Sequence, residues 1–359
     1  MVGVVDGTTG SAILPSTMAR KPRTLLLALI TVFALATVAV FFFTARPVHP
    51  RPPMPDPNGY DDFLKAITLV NRNYPTNLST IDRNALQAWV STNSESLRLL
   101  RLGLTREIAR FPDPDPHVED FTKWLRELAY MEQLAVRLRA EGRLYEMDNR
   151  VADAAKSYAD AIHFGNEVSR GGFIIGRVVG MHIEGWGATS LSKLVPKLNS
   201  QDARMVLDEL AKIERRRVTW EEVRQNESQL RKRHFIEWFH PIELTRWLWQ
   251  TRGIARRAEL NHKKQLAHLR LLMAELAVRC YQSQQGHVPT GLKDLVPKYL
   301  QQVPPDPFSG SSMLYHLHGT NWLLYSVGED GVDDGGRPPT PSVPGTVTRG
   351  DLFYDSTYY

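Results

Sequence analysis

Cysteine is nearly missing from this chain: Cys280 is the only one, so no internal disulfide can form and packing must hold the fold. Cys280 continues an apolar pattern through Leu269, Leu272, Met273 and Leu276, which predicts a buried thiol. No His/Asn arrangement points to it as a nucleophile. Trusted catalytic motifs are missing too. His234, Glu237 and His240 recur at i, i+3 and i+6 without the HExxH spacing of a zinc helix. His182 and Glu184 are two apart, on different sides of a helix, and so do not make a pair. A strong excess of one charge is also lacking: 44 Lys and Arg stand against 39 Asp and Glu, giving +5. Nucleic-acid binders concentrate basic residues on one face. The basic runs here are Arg20-Lys21-Pro22-Arg23, Arg215-Arg216-Arg217 and Arg231-Lys232-Arg233. The first flanks an apolar segment, and the other two read as solvated helix faces. Nucleic acid is therefore not an expected partner.

Charge is wholly absent from residues 25–43, LLLALITVFALATVAVFFF. At helical rise this run spans about 28 Å, close to the hydrocarbon thickness of a bilayer. Phe43-Thr44-Ala45-Arg46 is a poor cleavage context, which favours a retained anchor over a cleaved signal. The bilayer is thus an expected partner through residues 25–43. Arg20, Lys21 and Arg23 precede the run, whereas Arg46 and Arg51 follow it. With the short preceding tail, this bias puts the N-terminus in the cytoplasm and exports the body. Residues 46–58 hold six prolines in 13 positions, a semi-rigid spacer.

From Tyr60 the apolar period is helical. Ser79-Thr80-Ile81-Asp82 offers N-cap candidates, and Phe111-Pro112-Asp113-Pro114 is a breaker. Phe121, Trp124, Leu125, Leu128, Met131, Ala135 and Leu138 form one helical stripe, expected to be interrupted at Gly142. Residues 140–165 look like one tetratricopeptide-type hairpin, with no second copy to make a solenoid. The glycine-rich stretch 169–187 predicts a tightly packed central helix. Further helices are expected over 191–198, 203–217 and 221–252. The aromatic stretch from Trp220 to Trp249 reads as core and rim packing, with a binding groove or a membrane-surface face as the alternative.

Past residue 285 the pattern changes. Met313-Leu314-Tyr315 and Trp322-Leu323-Leu324-Tyr325-Ser326 predict two short strands around His318-Gly319-Thr320-Asn321. The order Gly286–Pro289, then Asp306-Pro307-Phe308 with Gly310, then Tyr325-Ser326-Val327-Gly328-Glu329-Asp330-Gly331, resembles the soluble head of type II secretion major pseudopilins. Neither the pseudopilin leader nor its cleavage site precedes Leu25, and some 200 residues separate the apolar run from this head. The resemblance implies an α+β module in a bacterial inner-membrane protein whose body is periplasmic. It also implies calcium bound by Asp330 with one or both of Asp333 and Asp334; a solvated acidic turn is the alternative. The expected class is mainly α. Residues 1–23 form a cytoplasmic tail, 24–44 a transmembrane helix, 45–58 the linker, 59–252 a helical domain, 253–336 the module and 337–359 a flexible tail that includes one candidate edge strand. The expected function is a non-enzymatic, single-pass envelope scaffold that contacts other envelope proteins. A secretion or pilus accessory component is the first alternative and a hydrolase the second.

Overall fold

In the computed structural model the described residues are 53–70, 78, 80–111, 119–237, 241–340 and 348–355, without the side chains of 230–252. The apolar run 25–43 lies outside them, as do His234 and His240 and the basic run Arg231-Lys232-Arg233 as side chains. Among the described residues, no helix is long and apolar enough to cross a membrane.

The chain is mainly α. Helix α1 spans Gly59–Thr68, α2 Arg83–Thr92 and α3 Ser94–Leu104. The long helices are α4, Glu119–Met147, α5, Val151–Val168, and α6, Ile174–Leu194. Then come α7, Ser200–Arg215, α8, Trp220–Glu237, and α9, Pro241–Gln285. Polar residues start several of them. Asn58 caps α1 by accepting from the Tyr60 amide at 3.1 Å, and its own amide donates to the Ala109 carbonyl at 2.8 Å. Asp82, within the predicted cap cluster, accepts from the Asn84 and Ala85 amides, both at 3.0 Å. Asn199 caps α7 through the Asp202 amide at 2.8 Å.

Strands β1, Leu314–His318, and β2, Asn321–Tyr325, form an antiparallel hairpin in which Leu314 faces Tyr325 and His318 faces Asn321. Gly319 adopts φ of 65° at the turn, a left-handed conformation that glycine reaches without Cβ strain. As expected, the β structure of the described residues lies past residue 285.

Gly142 does not end its helix, contrary to expectation: α4 runs through it to Met147. A Cβ at Gly142 would lie 2.4 Å from Cε1 of Tyr158. The glycine costs about 1 kcal/mol of helix propensity, and the ring of α5 stacks into the gap it leaves. The α4–α5 hairpin does form, turning at Asn149 with φ of 57°. The glycine-rich stretch is the tight central helix expected. A Cβ at Gly165 of α5 would meet the Gly180 carbonyl at 2.5 Å, and one at Gly187 of α6 would meet the Tyr158 carbonyl at 2.6 Å. The two helices approach backbone to backbone, which larger residues would prevent.

Two large apolar clusters organise this unit. In the first, Tyr60, Phe63, Leu97 and Leu100 pack with Trp124, Leu128, Met131 and Phe164. The expected stripe of α4 is thus core, with Phe121 and Leu125 at its edge. The second joins Ala154, Tyr158, Leu191, Leu207 and Leu210 to Leu269, Leu272, Leu276 and Cys280 of α9, and continues into Leu295, Met313, Leu324 and Leu352. The boundary expected at 252/253 falls inside α9, and the hairpin shares the core of α5, α6 and α7. Residues 51–359 form one compact unit. Leu352 reaches this core because Ser326 and Leu352 exchange backbone hydrogen bonds at 3.0 and 2.8 Å, so residues 348–355 lie against the hairpin.

Candidate functional site

The acidic turn sits where β2 ends. Gly328, Gly331, Gly335 and Gly336 all have positive φ, between 71° and 77°, and the backbone coils tightly. The acids do not stand as one repelling set. Glu329 pairs with Lys264 of α9 at 2.9 Å. Asp333 accepts from the Gly335 amide and the Tyr325 hydroxyl, both at 2.9 Å; these bonds hold its carboxyl below its ordinary range. Asp330 accepts from the Val332 amide at 3.2 Å. The amide of Asp334 donates to Asp351 at 3.4 Å, while its own Oδ2 is enclosed without a hydrogen-bond partner. The Ser326 carbonyl is occupied by the Leu352 amide. Among the described residues, no group of three or more His, Cys, Asp or Glu side chains is arranged to hold a metal.

Two aspartates outside the expected set organise this region. Asp306, 1% exposed, accepts from the Phe308 amide, the Ser326 hydroxyl and the Val327 amide, each at 2.9 Å. It thereby ties the Asp306-Pro307-Phe308 loop to the end of β2. Asp351, within the Arg-Gly-Asp triplet, accepts from the Gly336 amide at 2.7 Å and the Arg337 amide at 3.2 Å. The Asp-Pro motif signals such a turn in sequence. Nothing local signals Asp351, whose partners lie some 15 residues away.

A second polar centre is buried between α6, the α7–α8 corner and α9. Arg177, 0% exposed, donates from Nη1 to Glu184 Oε1 at 2.6 Å and to the Ser169 hydroxyl at 3.2 Å. Its Nε donates to Nδ1 of His262 on α9 at 3.0 Å. Arg217 binds the other oxygen of Glu184 through Nη2. Burial by itself would raise the Glu184 carboxyl; the Arg177 and Arg217 guanidiniums override this and hold it below its ordinary value. Burial lowers the His262 imidazole, and Arg177, Arg217 and Arg270 push it further, to about 2, so it is neutral. Its ring lies 5.7 Å from that of Trp220.

Arg217 corrects the expectation of a solvated face at Arg215-Arg216-Arg217. Helix α7 stops at Arg215. Asn166 of α5 then clamps the corner, accepting from the Val218 amide at 3.0 Å and donating to the Arg216 carbonyl at 3.3 Å. Arg215 and Arg216 stay exposed, while the Arg217 side chain is turned inward to 6% exposure. Its Nε and Nη1, the Trp220 Nε1 and Glu214 Oε2 are all enclosed without a hydrogen-bond partner. Glu184 points in and His182 out, as their spacing requires; His182 lies 3.6 Å from Glu132.

Cys280 is fully buried, and burial pushes its thiol up to about 11, which leaves little thiolate for nucleophilic chemistry. Comparisons of this chain with protein-family models, with curated proteins and with solved structures find no match.

Proposed function

We propose that the protein is a non-enzymatic scaffold of the bacterial cell envelope, anchored in the inner membrane by residues 25–43. Its N-terminus is cytoplasmic and its body stands in the periplasm on the proline-rich spacer. The anchor rests on the uncharged run 25–43, and the non-enzymatic reading is supported best by how the buried acids are used. Glu184 faces Arg177 and Arg217, Glu141 faces Arg101, and Glu127 faces Arg110 at 3.4 Å. Arg101 joins α3 to α4 through Glu141, Arg217 ties the α7–α8 corner to α6, and Arg110 ties the segment after α3 to α4. A hydrolase built on carboxylates needs an acid with a raised pKa and a reactive role. Burial raises the carboxyls of Asp160 and Asp351, but Asp160 is bonded to Arg101 at 2.7 Å and Asp351 accepts the Gly336 and Arg337 amides at 2.7 and 3.2 Å.

Carbonate extraction of native membranes should leave the full-length protein in the pellet, and protease added to spheroplasts should digest its body. A soluble form starting near Arg46, or a body digested only after lysis, overturns the anchor or the orientation respectively. Crosslinking in the same membranes should capture other envelope proteins. Recovery chiefly of secretion or pilus subunits would favour the second reading, an accessory component of such a system. The motif order from Gly286 to Gly331 and its likeness to a pseudopilin head support that alternative.

For the acidic turn the reading is calcium on Asp330, Asp333 and Asp334. The partnerless Oδ2 of Asp334 and the coiled glycine backbone support it. The bonds already made by Asp333 weigh against it. A ligand that binds only the folded state adds about 2.7 kcal/mol at a hundred times its dissociation constant. Calcium should therefore raise the melting midpoint of the full chain over that in chelator, and Asp330→Ala should abolish the shift. Equal midpoints up to millimolar calcium would leave a solvated turn as the account.

A further inference from the structure

We propose that the corner formed by Arg217 and Trp220 is a binding site for a single oxyanion group, a carboxylate or a phosphate. The argument starts from donors. A guanidinium and an indole have N–H groups to give and no acceptor. Arg217 uses Nη2 on Glu184 and leaves Nε and Nη1 without a partner, and Trp220 leaves Nε1 in the same condition. Three enclosed donors on two side chains three residues apart call for acceptor oxygens. Leaving such groups unsatisfied in the interior is costly. No protein carboxylate bonds to them. Glu184 already serves two guanidiniums, and Glu214 turns its Oε1 to Arg270 at 2.8 Å. Its Oε2 is itself enclosed without a hydrogen-bond partner.

The surroundings favour negative charge. Arg177, Arg217 and Arg270 all bear on His262, which is neutral and adds no acid to the centre. Arginine is weakly hydrated and suits burial against carboxylate or phosphate. The donors are closed off in this conformation, so an ion enters only when a neighbour moves. Trp220 is the candidate gate: it lies at the start of α8, half-buried, with its ring on the solvent edge of the small apolar cluster Ile174, Val218, Val223 and Ala258. The clamp of Asn166 on residues 216–218 holds Arg217 in place while the tryptophan swings.

The test uses the full chain in detergent, with melts in sodium phosphate, sodium acetate and sodium chloride at matched ionic strength. Phosphate or acetate should raise the midpoint saturably where chloride does not, and the more effective of the two identifies the group. Trp220→Phe keeps an aromatic ring, though a smaller one, and deletes one donor. It should weaken the apparent affinity about tenfold, the worth of one hydrogen bond to a charged acceptor. Arg217→Gln should abolish the saturable shift, and should it fail to fold, the phenylalanine variant alone decides. Equal midpoints in all three salts would mean that water alone satisfies these donors and would overturn the proposal. An unchanged oxyanion shift in Trp220→Phe would overturn it as well, by placing the ion elsewhere.

Discussion

Glu184→Gln should cost the protein about 3–5 kcal/mol, the penalty for removing one partner from a buried ion pair. The substitution keeps the shape and removes the charge. Arg177, 0% exposed, and Arg217, 6% exposed on its side chain, would then face each other across a neutral amide. The neighbouring His262 is neutral and supplies no counter-charge. Urea denaturation of the full chain measures the loss. A cost below about 1 kcal/mol would mean that water or a bound ion already screens the two arginines. The pH dependence has a definite sign. The folded carboxyl is held below its ordinary value of 4.5. Its stabilisation is therefore complete above that value and is lost as pH falls toward the depressed folded one. The wild type should lose this increment in acid, and Glu184→Gln should lack it at every pH.

Leu128→Ala should destabilise by about 2–5 kcal/mol. Leu128 is 2% exposed, among Trp124, Met131, Phe164 and Phe173. These rings and helices come from α4, α5 and the start of α6, so no single element can collapse into the space left. Met205, 52% exposed on α7, is the control, and its alanine variant should change stability by less than about 0.5 kcal/mol. A loss below about 1 kcal/mol at Leu128 would mean that the α4 stripe relaxes far more than a close-packed core does.

The stripe of α4, the hairpin at Gly319-Thr320, the cap at Asp82 and the buried Cys280 were all legible from residue order. In each case the signal is a local pattern within one element, the apolar period of a helix, a turn or a cap. The acidic turn was legible as a coiled glycine backbone, but not in its pairings: Glu329 finds Lys264, and Asp334 finds Asp351. Asp306 carried its motif in plain view, yet its three partners straddle a loop and a strand end. Arg217 was misplaced because a run of three arginines looks solvated, whereas the helix stops at Arg215 and the chain beyond it turns Arg217 inward onto Glu184.

By itself the sequence determined a mainly helical body, its apolar faces and a single β-hairpin past residue 285, because periodicity of 3.6 or 2 states which side of an element avoids water. It also carries the uncharged run 25–43 and the proline spacer, on which the envelope proposal rests. Tertiary structure alone decided that α4 continues through Gly142, since only the ring of Tyr158 makes a missing Cβ useful there. It alone decided that the tail module shares the core of α5 to α7 through α9, and that Arg177 meets His262 across 85 positions of chain. The cost of burying a charge is set by groups brought in from afar, and no local pattern contains them.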